Sequence, residues 1–172
     1  MRKVKIITDS CSDLTKDLLE KYDIDYAKMA TVFNGEESPA LLEWSAEDVH
    51  KFYELMRAGN RITTTQVPVE EFNRIFKKYL DLDYDIVYIG CSGKLSGSIN
   101  TGHLVAKKIL VDYPDAQIKC VDSLSSCVGE GLLAIKAAEM ANIGKSADEI
   151  AEYIIEIRNT VHEYATVHSL DT

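Results

Sequence analysis

The chain has 172 residues, 46% of them hydrophobic, and a formal net charge of -9. A chain of this size can bury one proper core, so a single domain over residues 1–172 is expected. The acidic balance argues against nucleic acid as the main partner. No apolar run approaches the roughly 20 residues that cross a bilayer, which excludes an integral membrane segment of that kind.

The opening Met1-Arg-Lys-Val-Lys-Ile-Ile lacks the long apolar core of a signal peptide and runs straight into a strand. The four cysteines, Cys11, Cys91, Cys120 and Cys127, show no C-x-x-C and no paired spacing with histidines. From that spacing neither a metal site nor a disulfide framework is expected, and free thiols in a reducing cytoplasm are the default.

In chain order, Val4-Lys-Ile-Ile-Thr8 is a β-branched run ending in polar Asp9-Ser10-Cys11-Ser12-Asp13. Leu14, Leu18, Leu19 and Tyr22 then carry helical spacing, completing a strand–loop–helix unit. Ile24 to Phe33 is expected to supply a second strand, with Asn34-Gly35 as a turn signal. Ser38-Pro39 to Trp44 is read as loop, and Trp44 as a packing residue. Ser45-Ala-Glu-Asp48 has the pattern of a capping box with Asp in the place of Glu. Val49, Phe52, Tyr53 and Met56 follow on one helical face, and Gly59 is the stop. Ile62 to Val67 is β-branched and uncharged. Pro68 then starts a helix from Val69 to Leu80, with Glu70 and Glu71 suited to its positive end.

Asp85-Ile-Val-Tyr-Ile89 reads as a buried strand and Ile99 to Leu110 as a helix. Between them stand three glycines, Gly90, Gly93 and Gly97, and three serines, Ser92, Ser96 and Ser98. Such a turn offers backbone N–H groups and hydroxyls at the positive end of a helix, the chemistry of a cradle for a phosphate or a carboxylate. The same composition also suits a merely flexible connection, so the stretch alone leaves both readings open. Ile118 to Val121 is a further strand, ending in Asp122-Ser123. Gly129-Glu-Gly131 opens an Ala-rich helix to about Ala141, closed by Asn142-Ile-Gly144. Ser146-Ala-Asp-Glu149 is a capping box for a helix through Arg158, after which the chain turns into Tyr164 to His168.

This alternation predicts an α/β fold: a mainly parallel sheet with helices on both faces, in three layers α/β/α. In such sheets the strand-to-helix turns share one edge, and ligands bind outside the carboxyl ends of the strands. Thr8-Asp9-Ser10, Cys91 to Ser98 and Asp122-Ser123 should therefore converge, and the run Thr63 to Gln66 is a candidate to join them.

The enzyme motifs that these residues evoke are incomplete. Gly90-Cys-Ser92-Gly-Lys94 nearly matches the nucleophile elbow G-x-S-x-G, but Lys94 stands where the last glycine is needed. His103 falls in a predicted helix, and His162 and His168 lie at the far end. A P-loop fails at Leu95, and no dinucleotide fingerprint follows the first strand. Asp9 and Asp122, each at a strand end, are read as acceptors that orient loop N–H groups. The cysteines after the strands read as small buried residues rather than reactive thiols. What remains are hydroxyls and N–H groups along one edge, which favours carboxylate binding over catalysis. The alternative kept open is a serine hydrolase or acyltransferase acting through Ser92 or Ser96.

Four motifs occur in order: Thr8-Asp9-Ser10, Thr64-Thr65-Gln66 before Glu70-Glu71-Phe72, Ser92-Gly-Lys-Leu-Ser96-Gly97-Ser98, and Val121-Asp122-Ser123. With these the chain resembles the DegV family of bacterial fatty-acid-binding proteins. The resemblance implies a long-chain fatty acid with a buried tail and a carboxylate held by hydroxyls. It also implies, for some members, a carrier role toward a fatty acid kinase. The family's T-S-Q-P-S motif falls on Thr64 to Pro68, and its S-S-x-L-S-G-T-Y motif on Cys91 to Ile99. By that matching Thr64 and Ser96 contact the carboxylate, while Ser10, Thr65, Ser92, Gly97 and Ser98 shape the loops around it. No cofactor is implied. Val67-Pro68 replaces Pro-Ser, and Ser98-Ile99 replaces Thr-Tyr. The resemblance also implies a second domain that covers the lipid and supplies a cation, and that domain is expected to be absent from these 172 residues. A lone first domain is expected to bind lipid poorly or to form a homodimer over its exposed apolar wall.

Overall fold

A computed structural model of the chain describes residues 2–164 and 166. His168, and with it most of the expected segment from Tyr164 onward, lies outside the described residues. In chain order the strands are β1 (Lys3–Asp9), β2 (Ile24–Ala27), β3 (Ala30–Phe33), β4 (Glu36–Pro39), β5 (Thr63–Thr65), β6 (Tyr84–Gly90) and β7 (Ile118–Asp122). The helices are α1 (Lys16–Tyr22), α2 (Ala46–Arg57), α3 (Val69–Leu80), α4 (Ser98–Ile109), α5 (Cys127–Asn142) and α6 (Ala147–Ile157), the last followed by a 3-10 turn at Arg158–Thr160.

The main sheet has four parallel strands in the order β2-β1-β6-β7. Its central strands read as nearly unbroken apolar runs because both faces are covered. Alternate residues point to opposite layers. Ile6, Val87, Ile89 and Val121 pack with Leu19 of α1, Leu133 and Ala134 of α5, and Ile150 and Ile154 of α6. Ile7, Ile86, Tyr88 and Ile118 pack with Phe72, Ile75 and Phe76 of α3 and with Ile99 and Val105 of α4. The expected three-layer α/β/α architecture is present.

A second, antiparallel sheet in the order β4-β3-β5 departs from the sequence reading. Ile24 to Phe33 is not one strand. It breaks at Lys28-Met29 into β2, which joins the parallel sheet, and β3, which does not. Strand β4 (Glu36–Pro39) takes in Ser38-Pro39, the start of the expected loop, and is closed onto β3 by Asn34 (φ 51°) and Gly35 (φ 81°), a two-residue turn with both residues left-handed. The threonine run becomes β5 of this sheet. Helix α2 starts at the expected Ser45 capping box, yet none of its residues is buried. Its face of Val49, Tyr53 and Met56 remains exposed.

Helix α5 begins two residues before the expected glycines and lies close under the loop after β1. A Cβ on Gly131 would come within 2.5 Å of the Ser12 carbonyl, so that approach requires glycine. The close approach carries Glu130 beneath the end of β1.

Candidate functional site

From β1 the main sheet continues outward to β2, and from β6 outward to β7. The carboxyl ends of β1 and β6 therefore form the switch point at which open α/β sheets bind ligands. Hydrogen bonds stitch the loops together there. Asp9 is fully buried. Its Oδ1 accepts from the Cys11 N–H at 2.9 Å, and its Oδ2 accepts from the Tyr88 hydroxyl at 2.7 Å and the Cys91 N–H at 3.1 Å. Burial nonetheless holds the Asp9 carboxyl above its ordinary pKa, against the lowering effect of these donors. Asp122 accepts from the N–H groups of Gly93 at 3.2 Å and Leu124 at 2.9 Å. The Ser92 N–H donates to the Ser125 carbonyl at 2.8 Å, and the Ser123 N–H to the Gly90 carbonyl at 3.1 Å. The three loops thus converge, and both aspartates orient backbone N–H groups.

The loops border a cleft of about 400 Å³ lined by Cys11, Met29, Thr64, Thr65, Gln66, Cys91, Leu95, Ser96, Gly97 and Ser126. None of these residues is Asp, Glu, Lys, Arg or His. Thr64 comes from β5, where it pairs with Thr31, and Ser96 from the β6–α4 loop. Two hydroxyl-bearing residues, one from the small sheet and one from a loop that follows a strand of the main sheet, therefore line one cleft, together with Thr65 and Gly97.

Ser10, Ser92 and Ser98 do not line the cleft. The Ser10 hydroxyl accepts from the Met29 N–H at 3.0 Å and fixes a cleft wall. Ser92 is buried and its hydroxyl accepts from the Lys94 N–H at 3.3 Å. Ser98 is fully buried; its hydroxyl accepts from the Val67 N–H at 3.0 Å and lies 2.9 Å from the Ser96 hydroxyl. Ser98 thereby ties the threonine run to the serine loop. Neither Ser92 nor Ser96 is hydrogen-bonded to a histidine or carboxylate among the described residues, and His103 and His162 are exposed.

Sequence reasoning left several contributors unassigned. Gln66 lines the cleft and donates from Nε2 to the Thr101 hydroxyl at 3.0 Å. Its place in the Thr-Thr-Gln run was the available signal. Met29 and Ser126 gave none. Beside Ser126, Leu124 (φ 56°) and Cys127 (φ 47°) adopt left-handed backbone, a strained state for such residues. Beneath the cleft, Glu130 is fully buried and accepts from the Thr8 hydroxyl at 2.7 Å. Burial first, and repulsion from Asp9 second, push its carboxyl well above the usual range. The Cys11 thiol is drawn down to about 7, chiefly by its hydrogen bond with Cys91.

The protein is an open-sheet α/β domain whose hydroxyl-bearing cleft lies at the switch point, the place where such sheets bind ligands. The profile of the DegV family, described as a family of uncharacterised proteins, matches residues 3–172. A DegV domain-containing protein of Clostridium perfringens is 37% identical over 172 residues, 99% of this chain and 58% of that protein. This chain belongs to the DegV family. A DegV lipid-binding protein from Thermotoga maritima shares the fold at a TM-score of 0.79 and 32% identity, over 92% of this chain and 55% of its own. A second Thermotoga maritima protein, whose structure reveals a fatty acid binding function, aligns at 0.79 and 32%, over 92% and 56%. The chain thus spans little more than half the length of these relatives. Among the described residues, no helix is long and apolar enough to cross a membrane.

Proposed function

We propose that this chain is the carboxylate-holding α/β domain of a fatty-acid-binding protein. In this reading Thr64 and Ser96 donate to the carboxylate of a long-chain fatty acid. Thr65 and Gly97 shape the cleft around it, and Ser10, Ser92 and Ser98 hold its walls. The supporting observation is the meeting of Thr64 and Ser96 in one cleft whose lining has no Asp, Glu, Lys, Arg or His. Hydroxyl donors to a carboxylate give charge-assisted bonds of roughly 1.5–3 kcal/mol each. Helix α4, which opens at Ser98, has no acidic residue in its first turn to offset its positive end. Relatives described as binding lipid or fatty acid support the choice of ligand.

The domain corresponds to the first of two in such proteins, the second covering the acyl tail. The bound acid is presented to a separate fatty acid kinase. The rival reading, a serine hydrolase or acyltransferase, finds no support in the hydrogen bonds of Ser92 and Ser96, which go to neighbouring loop groups. Organic extraction of the purified chain followed by mass spectrometry should recover fatty acid, and a fluorophosphonate probe should leave the chain unlabelled. Labelling abolished by Ser92→Ala or Ser96→Ala would replace this reading with the rival.

A further inference from the structure

Three side chains from separate elements meet at the inner end of the cleft. Cys11 follows β1, Cys91 follows β6, and Glu130 lies in the first turn of α5. Both sulfurs and a carboxylate oxygen of Glu130 lie within 4.8 Å of one another. Donors at that separation can surround one tetrahedral ion, whose bonds to sulfur and oxygen are about 2.0–2.3 Å.

An independent observation points the same way. Glu130 is fully buried, and while Oε1 accepts from Thr8, Oε2 has no hydrogen-bond partner among the described residues. A buried carboxylate oxygen left unpartnered is costly, and a ligated cation would meet it. Neighbouring groups also hold the donors in place. The N–H groups of Cys11 and Cys91 both bond to Asp9, and the Thr8 hydroxyl fixes the Glu130 carboxylate.

We propose that Cys11, Cys91 and Glu130 form a binding site for a thiophilic divalent cation of the zinc class. Two sulfurs and one carboxylate suit zinc or cadmium and do not suit calcium or magnesium, which take oxygen ligands. Cys11 and Cys91 also line the cleft, which gives the ion a path in and leaves a fourth position for water. Binding replaces the S–H bonds of Cys11 and Cys91 with metal–sulfur bonds and the carboxyl O–H of Glu130 with a metal–oxygen bond, releasing those protons to solvent. The site is distinct from the hydroxyl pair and does not rest on the fatty-acid reading. Spacing rules miss it because its ligands are far apart in sequence and are brought together by two adjacent parallel strands and the helix beneath them.

The test is titration of the full chain, with its thiols kept reduced, by Cd²⁺ alone and by Zn²⁺ alone. Cadmium should produce a sulfur-to-metal charge-transfer band that saturates at one ion per chain. Zinc, titrated against a chromophoric chelator, should bind at the same stoichiometry and shield Cys11 from iodoacetamide. Cys11→Ser and Glu130→Gln should each weaken zinc binding by at least about tenfold, the scale that neighbouring partners of a ligand alone command. Cys120→Ser should leave it unchanged. Cys11 is only half-buried, so Cys11→Ser decides the matter if Glu130→Gln fails to fold. Absence of stoichiometric uptake, a cadmium complex without the charge-transfer band, or uptake undiminished in Cys11→Ser would each overturn the proposal.

Discussion

The Tyr88 hydroxyl donates to Asp9 at 2.7 Å, and its ring fills the space between two glycines. A Cβ on Gly90 would come within 2.5 Å of the Tyr88 oxygen, and one on Gly102 within 3.0 Å of its ring. Asp9 in turn holds the N–H groups that begin both cleft loops, so Tyr88 supports the site without lining it. Tyr88→Phe should destabilise the chain by about 1–3 kcal/mol, because Asp9 stays buried with one donor fewer. Denaturant unfolding measures this, and an unchanged midpoint would contradict it. On the same α3-covered face, at the edge strand β2, Asp25 accepts from Lys78 at 2.8 Å and from the Tyr79 hydroxyl at 2.7 Å. Burial raises its pKa, but these bonds outweigh burial and leave it lowered. A lowered folded-state pKa stabilises above the unfolded value, about 3.9, and that stabilisation is lost as pH falls through the folded value. The stability gap between the wild type and Asp25→Asn should therefore be present at neutral pH and shrink below about pH 4. A gap independent of pH would refute this. Of these residues, only the orienting role of Asp9 was legible in the sequence. Its polar side chain ends an apolar strand, whereas the fit of Tyr88 between Gly90 and Gly102 depends on a helix packed across from β6.

At the scale of elements, local chemistry was the readable part. Both capping boxes form as Ser45 and Ser146 indicate, each hydroxyl accepting from the N–H three residues on. Ser146→Ala should cost about 1 kcal/mol, measured by thermal or denaturant unfolding. The long helices and the parallel strands were legible for a related reason: their apolar periods run over enough residues to be unambiguous. Strands β3, β4 and β5 were not. They are three or four residues long, and β4 is fully exposed, so no alternation marks them. The break between β2 and β3 falls at Lys28-Met29, which carries no turn residue. This matters for the site, because Thr64 reaches the cleft only through the small sheet. The face of α2 follows the same lesson: its helical period was visible, but the period does not say whether anything covers it.

For the whole molecule, convergence of the loops after β1, β6 and β7 followed from parallel-sheet rules once the alternation of strands and helices was recognised. The place of Glu130 did not, since it depends on the close packing of α5 against the loop after β1. The chain spans 58% of its Clostridium perfringens relative, and the proposed second domain would cover the acyl tail. A half-covered tail gains less than the ~0.8 kcal/mol per CH₂ of full burial. Affinity for saturated acids of rising length should therefore climb by less than that per carbon while the chain is monomeric in sedimentation. A dimer that closes over the tail would restore the full increment. A full increment in a monomer would contradict this view of the chain.

The central claim is that Thr64 and Ser96 hold the carboxylate. Titration of decanoate into the wild type, Thr64→Ala, Ser96→Ala and the remote control Ser45→Ala tests it most directly. Loss of one charge-assisted hydrogen bond should weaken binding by roughly 10- to 150-fold in each cleft variant and leave the control unchanged. Equal affinity for decanoate in all four proteins would contradict the account.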